Sequence, residues 1–166
     1  RTELKVFNDG IEEPLKIKYH KAEIDNFDIG LEGYPHYMLK EIEESTQVVR
    51  RLLDYYYDGS KYLFDKNLIK TIKKAQKLVF IAAGTSYHAS LIARRYFFNY
   101  GKNVDVFVAS EWAYYPYVTD PDSVFIFVSQ SGETADLIRC VDIVKERGNT
   151  IITVTNSKGS TLDRLA

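Results

Sequence analysis

The spacing of hydrophobic and polar positions changes twice along the chain. In residues 4–6, and again in residues 15–19, apolar side chains alternate with polar or charged ones, as in half-buried strands. Asn8-Asp9-Gly10 lies between these stretches and is a turn signal, so the pattern predicts a β-hairpin. A lone two-stranded hairpin is marginal in water, so it needs a larger body to pack on. Residues 30–35 contain Gly30 and Gly33-Tyr34-Pro35, which is typical of a linker.

From residue 35 to residue 57 the apolar positions recur at spacings of three and four, which predicts an amphipathic helix, interrupted at most at Ser45-Thr46. Its apolar face consists of Leu39, Ile42, Val49, Leu52, Leu53 and Tyr56. Asp58-Gly59-Ser60 then predicts a turn. A second helix fits residues 65–77, with Asp65 as its N-cap. The lysines of that helix are interpreted as a solvated face rather than as a phosphate site.

After residue 77 the pattern becomes strand, loop and helix, repeated. Compact apolar runs, typical of strands buried on both faces of a parallel sheet, occupy residues 78–83, 104–109, 123–129 and 150–155. Helical periodicity covers residues 86–100, ended by Gly101, and residues 133–147, ended by Gly148. Only a short helix fits between Ser110 and Pro116. The order predicts an α/β fold with a doubly wound parallel sheet.

Composition narrows the function classes. The chain has 166 residues, of which 45% are hydrophobic and 27% charged, values typical of soluble globular domains. Its formal net charge of −1 argues against a strongly electrostatic nucleic-acid binder. No apolar run approaches the ~20 residues that a membrane-spanning helix needs. We therefore expect neither a nucleic-acid partner nor a membrane partner.

Few residues offer metal or redox chemistry. Cys140 is the one cysteine, which excludes an internal disulfide and an all-cysteine zinc site, and its mid-helix position suits a small core residue. His20, His36 and His88 lie far apart without metal-ligand spacing, so we predict no metal and no cofactor. His88 follows one candidate loop, but a packed or solvated histidine is the favoured interpretation. For the aromatic residues Trp112, Tyr114, Tyr115 and Tyr117, burial or a subunit interface is favoured over sugar stacking.

The candidate chemistry lies in the loops after the first and third strands of the predicted sheet, because open α/β sheets bind ligands beyond the carboxyl ends of their strands. Both loops are rich in hydroxyls and each opens a helix, whose N-terminus favours anions. Glycines in these loops allow close approach of the backbone to a ligand. The candidate binding residues are Gly84, Thr85, Ser86, Ser129, Ser131, Gly132 and Thr134.

The loops match neither the dinucleotide nor the P-loop fingerprint, and neither contains a lysine. A cup for one phosphate monoester fits them better than a diphosphate cradle. Glu133 opposes this interpretation, because its carboxylate would repel a phosphate unless it points away or pairs with a cation. Ordinary helix capping is the alternative explanation for the hydroxyls. Two such loops on one sheet favour ligand binding.

These two loop sequences resemble those of the sugar isomerase (SIS) domain, a flavodoxin-like fold. Three further stretches resemble the glutamine–fructose-6-phosphate aminotransferase family, also called glucosamine-6-phosphate synthases. They are His36-Tyr37-Met38-Leu39-Lys40-Glu41-Ile42, Ala109-Ser110-Glu111-Trp112 and residues 156–162. One departure is Glu44-Ser45-Thr46, where the family usually has Glu-Gln-Pro, and it puts the local helix break in doubt.

The resemblance implies conversion of fructose 6-phosphate and glutamine to glucosamine 6-phosphate, the first step of the amino-sugar pathway. It implies that Thr85, Ser86, Ser129, Gln130, Ser131 and Thr134 hold the sugar phosphate. The family's catalytic glutamate, lysines and histidine belong to a second SIS domain, and its nucleophilic cysteine opens the glutaminase domain. We therefore expect no catalytic residue in this chain and no turnover by it alone. A homodimer through SIS domains and a cytoplasmic location are also expected.

By this resemblance, residues 1–33 are the tail of a glutaminase domain with its linker, and residues 34–77 are the linker and leading helices of the isomerase region. Residues 78–166 are a first SIS domain. An SIS sheet normally has a fifth strand, and the chain begins with Arg1 rather than Met. We therefore expect a piece of a longer protein whose sheet domain is incomplete at its C-terminus.

Two alternatives stay open, an SIS sugar-phosphate sensor and a stand-alone SIS isomerase or deaminase. The helix over residues 35–57 favours the aminotransferase over the sensor, which is more often joined to a DNA-binding segment. The predicted hairpin disfavours the stand-alone enzyme.

Overall fold

A computed structural model of the chain describes residues 6–8, 11–13, 30–116 and 120–165. The chain divides into two compact units, Arg1–Tyr55 and Tyr56–Ala166. The predicted division at residues 33 and 77 stays a prediction.

In the first unit, strands β1 (Val6–Asn8) and β2 (Ile11–Glu13) pair antiparallel, with Asn8 opposite Ile11. An antiparallel pair is therefore present where a hairpin was predicted, although its second strand comes before the predicted stretch, and residues 9–10 lie outside the described residues. The second alternating stretch, residues 15–19, lies outside the described residues.

Helix α1 (Tyr37–Tyr56) is continuous through Ser45, whose hydroxyl donates to the carbonyl of Glu41 at 3.0 Å. The apolar residues that predicted this helix are 38–63% exposed. Lys40, in contrast, is 2% exposed, and its Nζ donates to the carbonyl of Gly30 at 2.7 Å. Carboxylate oxygens of Glu32 and Glu44 lie 3.5 and 3.6 Å from the same nitrogen. These acceptors compensate the burial of the ammonium group.

Near its start, the second unit contains the predicted turn at Asp58. Its Oδ1 accepts the N–H groups of Ser60 and Lys61 and the hydroxyl of Ser60, at 2.7–3.0 Å. These bonds, that of the Ser60 hydroxyl foremost, lower the pKa of Asp58. Helix α2 (Lys66–Lys74) follows, and Asp65 caps it as predicted by accepting the N–H groups two and three residues on.

The rest of the second unit contains a four-stranded parallel sheet in the order β4-β3-β5-β6. Its strands are β3 (Lys77–Ala82), β4 (Asn103–Val108), β5 (Ser123–Ser129) and β6 (Thr150–Thr155). The helices that alternate with them are α3 (Gly84–Asn99), α4 (Ala109–Trp112), α5 (Ala135–Glu146) and α6 (Thr161–Leu165). This confirms the predicted doubly wound α/β fold, with strand ends within one residue of expectation.

The sheet is covered on both faces, which explains its near-continuous apolar strands. One core layer joins alternate residues of β3 and β5, such as Val79 and Phe125, to Leu137 and Val141 of α5 and to Trp112. The opposite layer joins the remaining strand residues to α2 and to Ala93 and Phe97 of α3. This sandwich fixes the two central strands and the loops that leave their carboxyl ends.

Candidate functional site

The two hydroxyl-rich loops meet at the carboxyl ends of the neighbouring strands β3 and β5. From β3 the chain crosses to β4 on one side of the sheet, whereas from β5 it crosses to β6 on the other. The crevice between such diverging connections is where open α/β sheets bind ligands. It contains a cleft of about 290 Å³, at the small end of the roughly 300–1,000 Å³ typical of ligand pockets.

Seven of the eight predicted site residues line this cleft. They are Gly84, Thr85, Ser86, Ser129, Gln130, Ser131 and Thr134. Ala83, Val128 and Leu137 complete the lining and contribute apolar wall. Gly132 is not part of the lining, although it stands within the same loop. The structure thus brings together two segments that are more than 40 residues apart in the sequence.

The hydroxyls of the second loop order the loop itself. Ser129 is 6% exposed, and its Oγ accepts the N–H of Gly132 at 3.0 Å. The Oγ of the exposed Ser131 accepts the N–H of Glu133 at 3.2 Å. The Thr134 hydroxyl lies 3.4 Å from that of Ser129. Because a serine hydroxyl donates one hydrogen bond while accepting others, each serine can still offer its O–H to an anion in the cleft.

Both helices that open at the cleft begin without a side-chain cap. The N-cap residues are Ala83 for α3 and Thr134 for α5, and neither closes its helix with a side-chain hydrogen bond. The capping alternative is therefore wrong for these two N-cap positions, although the serines do order the turn before α5. The positive ends of both helix dipoles lie beside the cleft, and none of the residues lining it carries a charged side chain. A single anion bound by neutral donors suits this arrangement.

Glu133 is outside the cleft lining. Its Oε1 accepts the N–H of Thr161, the first residue of α6, at 2.8 Å. Hydrogen bonds from the N–H and then the hydroxyl of Thr161, aided by the charge of Arg164, lower the pKa of Glu133. An acid at this position is compatible with a bound anion if its side chain points away or pairs with a cation. The structure shows the first arrangement, because the carboxylate is hydrogen-bonded outside the cleft.

Gly132 is buried at φ +69°, a backbone conformation that side chains with a Cβ rarely adopt. A Cβ on this residue would lie 2.1 Å from the Oγ of Ser160 and 2.9 Å from the Oγ1 of Thr155. Packing of the loop against the chain after β6 therefore requires a glycine here. Sequence reasoning missed this role of Thr155 and Ser160; for Ser160 the one signal was the resemblance of residues 156–162, and Thr155 had none.

The remaining candidates lie elsewhere. Cys140 is fully buried in the core as predicted, its Sγ lies 3.6 Å from the carbonyl oxygen of Ala109, and burial raises its pKa to about 12. His88 is exposed and contacts the ring of Tyr87, with 5.5 Å between ring centroids. Trp112 is 2% exposed, which confirms burial for that residue, whereas Tyr115 is 81% exposed. Tyr117 lies outside the described residues.

Within the described part of the chain, no group of three or more histidine, cysteine, aspartate and glutamate side chains could hold a metal ion. None of its helices is both long and apolar enough to cross a bilayer.

Comparison with known proteins places this geometry in a family. The SIS domain profile matches residues 71–166. Glutamine–fructose-6-phosphate aminotransferase of Listeria monocytogenes is 44% identical over 149 residues, which are 89% of this chain and 25% of that protein. The chain thus spans about a quarter of the length of the curated relatives it matches.

Two solved structures share the fold. The C-terminal domain of glucosamine-fructose-6-phosphate aminotransferase from Francisella tularensis has a TM-score of 0.73 and 33% identity, covering 81% of this chain and 39% of its own. A protein of Escherichia coli CFT073, solved in complex with a sugar phosphate, has a TM-score of 0.63 and 26% identity, covering 78% and 69%. With its fold, its cleft at the switch point and the profile match in agreement, the chain belongs to the SIS domain family.

Proposed function

We propose that the cleft between β3 and β5 binds the phosphate of a hexose 6-phosphate. The observation that carries this proposal is the convergence of hydroxyls and two uncapped helix N-termini on one small cleft whose lining carries no charged side chain. A phosphate monoester has several acceptor oxygens and needs donors, which hydroxyl and backbone N–H groups supply. Thr85, Ser86, Ser129, Gln130, Ser131 and Thr134 are the residues we assign to it.

We further propose that the chain is the sugar-phosphate-binding part of an enzyme that forms glucosamine 6-phosphate from fructose 6-phosphate and glutamine. The identity with the Listeria monocytogenes relative supports this assignment. We expect the chain alone not to catalyse this reaction, because the resemblance assigns the catalytic residues to other domains. Cys140 is no substitute for a glutaminase nucleophile, since a buried thiol with a pKa near 12 carries almost no thiolate at neutral pH.

The binding proposal is tested by calorimetric titration of the chain with fructose 6-phosphate, fructose and inorganic phosphate. We expect binding of the two phosphate compounds and none of fructose. Replacing Ser129 and Ser131 together with alanine should weaken binding by about 3 kcal/mol or more, roughly 100-fold, because two hydrogen bonds to a charged group are lost.

Ser45→Ala, on the exposed surface of α1, is the matched control and should bind like the wild type. Unchanged affinity in the Ser129/Ser131 double variant would remove this loop from the site. Formation of glucosamine 6-phosphate by the chain from fructose 6-phosphate and glutamine would contradict the expected lack of turnover.

We also propose that the protein forms a homodimer through its SIS region and acts in the cytoplasm. Large apolar side chains on α3, Ile92, Tyr96 and Phe98, are 61–72% exposed, which supports an interface on that helix. Sedimentation equilibrium at micromolar concentration is the check for the dimer, and a monomer under those conditions would contradict it.

A further inference from the structure

The second cleft loop, residues 129–134, is held from behind by the chain that follows β6. We call residues 156–162 the bracing segment. Its backbone N–H groups at Asn156 and Leu162 donate to the carbonyls of Gln130 and Gly132, at 3.3 and 3.0 Å. The side chain of Ser160 packs where Gly132 lacks a Cβ. Backbone contacts thus hold positions 130 and 132.

At position 133 it is the side chain, and not the backbone, that contacts the bracing segment. The Glu133 carboxylate accepts the N–H of Thr161 at 2.8 Å, across 28 residues of sequence. Its own backbone N–H donates to the Oγ of Ser131, which lines the cleft. An anchor on the Glu133 side chain therefore limits the movement of the N–H group that orients a phosphate-binding hydroxyl.

The negative charge of Glu133 indicates that this residue has a structural role. A carboxylate beside an anion site weakens anion binding, so a glutamate without a structural task would be a disadvantage at this position. The cationic Arg164 reduces the cost, because its charge acts on Glu133 and its Nη2 donates to the Oγ1 of Thr161 at 3.1 Å. Asp163, the other nearby acid, is engaged with the N–H of Gly159 at 2.7 Å.

We propose that Glu133 is a positioning residue for the sugar-phosphate site, which ties the cleft loop to the bracing segment through its hydrogen bond with Thr161. This inference rests on the proposed function for the identity of the ligand. The hydrogen bond and its effect on the loop do not depend on it.

The test compares Glu133→Ala with Glu133→Gln in titrations of the chain with inorganic phosphate and fructose 6-phosphate. Glutamine keeps a carbonyl acceptor for the Thr161 N–H and loses the charge, so its affinity should equal or exceed that of the wild type. Alanine loses both the acceptor and the charge, and its affinity should fall about tenfold, because the lost hydrogen bond costs more than the removed repulsion recovers. Glu146→Ala, an exposed acid at the other end of α5, is the charge-matched control.

A second variant removes the bond from the donor side. Thr161 is the first residue of α6, a helix position that tolerates proline, and Thr161→Pro deletes its N–H. It should weaken binding as Glu133→Ala does, and the two changes together should cost little more than either alone. Trp112 fluorescence verifies that each variant remains folded.

Amide hydrogen exchange at Gly132 and at residue 133 separates this inference from the proposed function. Both amides should exchange about tenfold faster in Glu133→Ala than in the wild type or in Glu133→Gln. If the wild type does not bind the ligand, the proposed function is refuted. The exchange rates still test whether the Glu133–Thr161 hydrogen bond stabilises the loop. The inference is overturned if Glu133→Ala binds as tightly as the wild type, if Glu133→Gln is as weak as Glu133→Ala, or if loop exchange is unchanged.

Discussion

Adding one methyl group at Gly132 tests how tightly the cleft loop is packed against the chain after β6. In Gly132→Ala the new Cβ would meet the Ser160 Oγ at 2.1 Å and the Ser160 Cβ at 2.6 Å, both far inside van der Waals contact. The Ser160 Cβ is fixed to the backbone, so a change of rotamer cannot relieve the second clash. Gly148 has a similar φ of +75° but open space around it, which makes Gly148→Ala a matched control.

The two variants separate the backbone cost from the packing cost. A left-handed conformation costs a residue with a Cβ about 1–2 kcal/mol, and both variants incur it. Overpacking adds about 1–3 kcal/mol, and only Gly132→Ala incurs that. We therefore expect a loss of unfolding free energy of about 1–2 kcal/mol for Gly148→Ala and about 2–5 kcal/mol for Gly132→Ala.

Urea unfolding followed by the fluorescence of Trp112 measures these differences, because this residue is the only tryptophan and lies 2% exposed in the core of the second unit. Equal destabilisation in the two variants would refute the packing argument. Gly132→Ala combined with Ser160→Gly should recover part of the steric cost, since that change removes both atoms of the Ser160 side chain.

Two further predictions concern titration. Cys140, buried with a raised pKa, should resist iodoacetamide at pH 8 in folded protein and react once urea unfolds the second unit; rapid labelling without denaturant would contradict its core position. The lowered pKa of Asp58 means that its contribution to stability is complete above about pH 4, its unfolded value, and is lost as the pH falls through the lower folded value. Asp58→Asn should therefore flatten the loss of stability measured as the pH falls below about 4, and an unaltered acid profile would contradict this.

The strands and helices of the second unit were predictable because each is encoded locally. The continuous apolar runs ending at Ala82 and Ser129 mark strands buried on both faces, and Asp65 carries its own capping group. The candidate site was predictable for the same reason, since parallel strands present their following loops at one edge of the sheet. Seven of the eight predicted residues line one cleft in the structure.

The features that could not be predicted depend on contacts between distant segments. The sequence alone left two alternatives for Glu133, and only the hydrogen bond with Thr161 decides between them. Gly132 was expected to admit a ligand, yet the nearest atoms to its missing Cβ belong to Ser160. Likewise, periodicity predicted α1 but could not indicate that Lys40 would be its buried residue, because the acceptor at Gly30 precedes the helix.

The brace behind the cleft loop has a consequence for folding during synthesis. All the residues that line the cleft have been translated by Leu137, whereas the contacts that hold its second loop come from residues 156–162. The ribosome therefore synthesises the cleft lining before it synthesises the residues that support the second loop. Affinity for the ligand should appear late in translation, when β6 and the residues after it have left the exit tunnel.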